Sequence, residues 1–126
     1  MIEVISALLI SCWPIVVTDG DTIKCNGQLM RLLGDGIADV SGVDTPELRK
    51  YRCERERIGA LRAKKRLNEL VAIPGTTIEH SGAVDDSGRP LVRIRLPDGR
   101  TAESVLLEEG YALDWSPNHR NDWCYD

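Results

Sequence analysis

Apolar positions along this chain alternate in some stretches and recur at helical spacing in others. In "LVRIRL" the residues Val92, Ile94 and Leu96 alternate with Arg93 and Arg95, the mark of a half-buried strand. Ile15 to Thr18 and Thr22 to Cys25 read as two more strands joined at Asp19-Gly20-Asp21, and Asn26-Gly27 is a hairpin signal ahead of "QLMRLL". These three form a meander. A further strand is expected at "TTIEH", and the apolar run from Ile5 to Ile10 reads as a buried first strand. Between Gly34 and Val43, "DGIADVSG" is rich in Gly and Asp and is expected to loop.

Helical spacing takes over after Cys53. Ala60, Ala63, Leu67, Leu70 and Val71 share one face of a helix expected over about 54–71, with Ile58 and Leu61 off the stripe. Gly59 weakens such a helix, and the usual compensation is close packing against another element. Residues 102–109, "AESVLLEE", predict a short amphipathic helix closed by Gly110. Thr45-Pro46-Glu47 has the form of a helix start, with Thr as cap, Pro at the first position and an acid near the positive end of the dipole. Strands interrupted by two helices, with few long loops, predict a β-barrel with helices: a five-stranded Greek-key barrel of the OB type, as a single domain over 1–126. One site and a monomer are expected.

Charge narrows the partners. A net charge of -4 and a pI near 5.2 argue against holding nucleic acid by bulk electrostatics. The cations are unevenly spread, however: Arg49, Lys50, Arg52, Arg55, Arg57, Arg62, Lys64, Lys65 and Arg66 face only Glu54 and Glu56 in one segment, which fits a solvated helix face. No apolar run approaches the roughly 20 residues of a membrane span, so no membrane partner is expected. The first residues carry Glu3 and lack a basic signal-peptide region, although an unusual export signal ending near Cys12 is an open alternative. Four cysteines without a CxxC pattern suit an oxidising compartment, and on that ground a secreted or periplasmic setting is favoured over a cytoplasmic one.

Two carboxylates flank Gly20, and turn chemistry alone would explain them. A second explanation comes from "VTDGDTIKC", "MRLLG", "VDTPE" and "DDSGRPLVRI", which occur in this order and are followed by "LLEEGYA". Together they resemble the staphylococcal nuclease (thermonuclease) family over about Val16 to Trp115. The resemblance implies an OB barrel with packed helices and a Ca²⁺-dependent phosphodiesterase acting on DNA or RNA. It implies that Asp21 and Asp44 bind calcium, with Thr45 adding its backbone carbonyl, an oxygen-only donor set that suits a hard ion. Asp19 becomes the turn-former with a role behind the ligands. Glu47 matches the family's general base, and Arg31 and Arg89 match the arginines that hold the scissile phosphate. The tail "NDWCY" with "YRCE" is similar to a pattern in some bacterial members and implies a Cys53–Cys124 disulfide, while buried free thiols are the alternative.

The chain departs from the family at one place that bears on chemistry. Eight residues, Asp35 to Gly42, separate "RLLG" from "VDTPE". Counted from the Asn-Gly hairpin, Arg31 fills the arginine position; counted back from Asp44, Asp39 does. Gly34, Gly36 and Gly42 favour an insertion that bulges out and leaves Arg31 in place. Tyr111 and Trp115 suit stacking on a base, or ordinary packing at the rim. His80 and His119 have no ligand-like spacing and are read as structural. The competing functional class is a catalytically silent OB module that binds nucleic acid or protein, which would be expected to have lost one of Asp21, Asp44, Glu47, Arg31 or Arg89.

Overall fold

The structure, a computed structural model, describes residues 8–125. Among them eight strands and two helices make a small α+β protein: β1 (Leu8–Ile10), β2 (Ile15–Asp19), β3 (Thr22–Cys25), β4 (Gln28–Leu32), β5 (Gly42–Asp44), α1 (Glu54–Val71), β6 (Thr77–Val84), β7 (Pro90–Arg95), α2 (Ala102–Glu108) and β8 (Leu113–Trp115). Only β1 of the expected first strand falls in the described range, and its Leu9 is exposed.

Six strands form one mixed sheet in the order β1-β6-β7-β4-β3-β2. The β4–β7 pair is parallel and the other pairs are antiparallel. The meander is as expected. Asn26 and Gly27 both take positive φ, 49° and 87°, the backbone that a two-residue hairpin between right-twisted strands requires. A bulge between Val17 and Asp19 then shifts the β2–β3 register just before the Asp-Gly-Asp turn, re-aiming Asp19.

The five-stranded closed barrel is not what the hydrogen-bonded ladder draws. β5 leaves the main sheet and pairs with β8 in a separate two-stranded sheet, and β1 and β2 are the two unjoined edges of the large one. The physical causes are local. The insertion carries the chain away between β4 and β5, and the irregular stretch Ser11–Pro14, where Pro14 has no N–H to give, separates β1 from β2. Only four residues separate those two edge strands in sequence, and Asn26 of the β3–β4 hairpin holds this link by accepting the Trp13 N–H and donating to the Ser11 carbonyl.

The core lies where the sheet meets the two helices. Ile23, Leu32, Val92, Ile94, Leu67 and Leu106 are fully buried there, joining three sheet strands to both helices. Helix α1 presents Ala60, Ala63, Leu67 and Leu70 inward and leaves Ile58 and Leu61 exposed, as its spacing predicts. A Cβ on Gly59 would stand 3.1 Å from Pro46 Cγ, so this glycine lets the helix approach the loop that carries Glu47.

Thr45-Pro46-Glu47 does not start the helix. The chain runs irregularly from β5 to Cys53, which caps α1 by accepting from the Glu56 N–H. The donors that a helix start would leave free are already spent: Thr45 N–H goes to Asp21 and Glu47 N–H to Glu56. No helix among the described residues is long and apolar enough to cross a membrane.

Candidate active site

The β3–β4 register puts Thr22 opposite Arg31, and the Leu32 N–H closes the turn onto the Asp21 carbonyl. Arg31 therefore projects beside Asp21. Its Nη1 lies 3.2 Å from Asp21 Oδ2, while its Nη2 donates to the Val43 carbonyl at 2.9 Å and stands 3.9 Å from Asp44 Oδ1. One guanidinium thus bridges the carboxylates of two separate motifs.

The insertion loops out. Arg93 donates to the carbonyls of Gly34 and Gly36 at its neck, and the buried Glu103 accepts the Gly34 N–H at 2.7 Å. Gly36 is required because a Cβ there would meet the Ser41 carbonyl oxygen at 2.5 Å. Asp39, exposed and in a left-handed conformation, φ 64°, does not take the place of Arg31 beside Asp21, although it lines the same cavity as Arg31 and Arg89.

Asp21 is buried and well bonded. Thr22 Oγ1 donates to its Oδ1 at 3.0 Å and the Thr45 N–H to its Oδ2 at 3.3 Å. Thr45 is buried too, against Gly20, and its Oγ1 is a buried polar atom with no hydrogen-bond partner. Glu47 sits at the solvent edge of the group. Its backbone N–H is held by the buried Glu56, which also accepts from the Arg52 N–H at 2.8 Å, so one carboxylate inside the helix face ties down the whole 47–52 segment.

The carboxylates feel one another. Partial burial, then the charges of Asp21, Asp19 and Asp44, raise the pKa of Glu47 against the lowering effect of Arg31. Burial and Asp21 likewise raise Asp19, although Arg49, Lys64 and Arg31 pull it down. Asp44 is raised by burial and by Asp21 and Glu56, and lowered by its hydrogen bond from Asn121 and by Arg31. The cations nearby offset this rise only in part. Together with the orphaned Thr45 hydroxyl, that surplus of oxygen donors and negative charge suits a hard divalent ion. Among the described residues no three His, Cys, Asp or Glu side chains gather as a metal site, so a cation here would depend on two carboxylates, Thr45 and water.

Arg89 reaches the same region from the β6–β7 turn. Asp85 Oδ1 accepts the N–H groups of Ser87 and Arg89, and its Oδ2 accepts Arg89 Nε at 2.7 Å. Burial pushes the Asp85 carboxyl up, but these bonds outweigh it and hold its pKa low. Arg31 and Arg89 line one cavity of about 220 Å³, walled on another side by Trp115. A second cleft, about 320 Å³, begins at Asp44 and Glu47 and shares Trp115. Tyr111 lines neither; it packs partly buried against the core.

The tail closes the second cleft. Cys53 and Cys124 form a disulfide, Arg52 pairs with Asp122 at 3.1 Å, and Asn121 donates to Asp44 Oδ2. A second disulfide joins Cys12 and Cys25, leaving no free cysteine. Of the histidines, His80 accepts the nearby Gly82 N–H, and His119 bonds Asn121 at the cleft. Sequence reasoning missed Asn121, Glu56, Asp85 and the Cys12–Cys25 bridge. Glu56 had a signal, since it lies on the helical stripe four residues before Ala60. Asp85 had one in the Asp-x-Ser-Gly-Arg turn. For Asn121 there was none. Compared with known proteins, the chain matches no family model and no curated protein sequence.

Proposed function

We propose that this chain is a Ca²⁺-dependent endonuclease, a hydrolase that cleaves phosphodiester bonds of DNA or RNA on an OB-type barrel of the staphylococcal nuclease kind. The observation that carries the reading is the position of Arg31 between Asp21 and Asp44 despite the insertion. The barrel reading draws support from the two edge strands β1 and β2, which are consecutive in the chain and only four residues apart.

Asp21, Asp44 and the Thr45 carbonyl would hold the ion, beside the Arg31 guanidinium that already pairs with Asp21. When bound, Ca²⁺ supplies positive charge beside the scissile phosphate and keeps water near it. Arg31 and Arg89 donate to the equatorial oxygens as charge builds there, and Asp85 fixes the orientation of Arg89. Glu47, its pKa raised, accepts the proton of the attacking water as general base. The two disulfides suit an oxidising setting such as a secretion space or periplasm.

The test is cleavage of single-stranded DNA with added Ca²⁺ and with chelator, at low and moderate salt because the chain is acidic. Arg31→Ala, Arg89→Ala and Glu47→Ala should each slow it by about 10²-fold or more. No cleavage at any salt would leave a silent nucleic-acid-binding or protein-binding module as the better reading.

A further inference from the structure

The cleft between the Glu47 segment and the C-terminal tail has a composition that the reaction does not use. Lys50, Arg120, Trp115 and Trp123 line it, together with the carboxylates of Asp44, Glu47 and Glu56. The tail residues divide by task. Asn121, Asp122 and Cys124 anchor the tail to Asp44, Arg52 and Cys53. Arg120 and Trp123, interleaved with them, take no part in the anchoring, and neither Arg120 nor Lys50 has an ion-pair partner among the described residues.

Two uncommitted cations and two half-buried indoles are a poor way to close a protein surface. They suit an unpaired nucleotide, whose phosphate a cation attracts and whose base stacks on an aromatic ring. The position adds to the chemistry. The cavity of Arg31 and Arg89 and this cleft share Trp115 as a wall, and the adjacent residues Val43 and Asp44 line one each, so the two are neighbours along β5.

We propose that this cleft binds the adjoining nucleotide of a single-stranded polynucleotide crossing the site, its phosphate on Lys50 and Arg120 and its base on Trp123. This rests on the nuclease reading for the strand's path, but binding can be measured without turnover. The site would then be occupied on both sides of the scissile bond, which favours internal cleavage over trimming from an end.

The experiment is fluorescence anisotropy of a labelled oligothymidylate of about eight nucleotides, a length within the range of OB-type sites, in the Glu47→Gln chain with Ca²⁺. Trp123→Ala should weaken binding about tenfold and Trp123→Phe should restore most of it. Lys50→Ala and Arg120→Ala, both at exposed positions, should each lower the slope of log Kd against log salt by about 0.7. Turnover of a p-nitrophenyl phosphodiester, too short to reach the cleft, should be unchanged by the same substitutions in the parent chain. Oligonucleotide binding with unaltered affinity and salt slope in all three alanine variants would overturn the proposal while leaving the nuclease reading intact. Absence of oligonucleotide binding by the parent at low salt, together with absence of cleavage, would remove both.

Discussion

Asn121 Nδ2 donates to Asp44 Oδ2 at 3.1 Å across 77 residues of chain, and to the Asp114 carbonyl at 3.0 Å. The amide thus stitches the tail to both strands of the β5–β8 pair and touches a carboxylate proposed above as a calcium ligand. Asn121→Ala removes one of the influences that lower the Asp44 pKa, while burial and Asp21 still raise it. Asp44 then stays protonated to higher pH. The acid limb of the pH profile of kcat/KM should move upward, and stability should fall by about 1 kcal/mol for the lost hydrogen bond.

The Cys53–Cys124 bridge closes a loop of 71 residues and pins the tail against the Glu47 segment. Replacing both cysteines by serine should lower stability by about 2 to 4 kcal/mol. It should also reduce cleavage, because Arg52, Glu56 and Asn121 all sit where the tail is docked. Replacing Cys12 and Cys25, at the opposite end of β2 and β3, should lower stability and spare the rate. Denaturant titration read beside initial rates separates the two, and intact mass after alkylation without reductant should show no labelled thiol in the parent.

Gly20 stands where a Cβ would meet Ala63 Cβ at 2.7 Å and Thr45 Cγ2 at 3.0 Å. Gly20→Ala must push helix α1 or Thr45 away. Overpacking of this kind costs about 1 to 3 kcal/mol, and Ca²⁺ affinity by calorimetry should fall with it because Thr45 shifts relative to Asp21.

Glu103 is fully buried, and burial pushes its pKa up to about 7 even though the N–H groups of Gly34 and Ile94 partly offset the effect. Below its ordinary value of 4.5 the carboxyl is protonated in both folded and unfolded chains. As pH rises from there to about 7, the unfolded chain ionises first, so stability declines through that window and the loss is complete above it. The expected loss is roughly 3 kcal/mol. Glu103→Gln should flatten this decline, as urea unfolding at about pH 5 and about pH 8 would show.

Local rules reached far into this chain. Helix α1 was readable end to end because its apolar stripe and acidic first turn lie within one segment, and Asn26-Gly27 set its hairpin because only a few residues accept positive φ at both positions. Motif order also named Asp21, Arg31, Asp44, Glu47 and Arg89 before any contact was known. What sequence left open was every relationship that needs two distant segments at once. Whether Arg31 or Asp39 stands beside Asp21 depends on how the insertion leaves the sheet, and that is fixed by Arg93 and Glu103 gripping its neck from β7 and α2. The false helix start at Thr45 has the same origin, since its backbone donors are claimed by Asp21 and by Glu56 on another element. The second cleft exists because the disulfide to Cys53 and the bonds of Asn121 and Asp122 bring the tail, with Arg120 and Trp123, to the edge of the acidic group. Propensity acts between neighbours in sequence; bridges, buried carboxylates and strand partners act between neighbours in space, and only the folded chain says which residues those are.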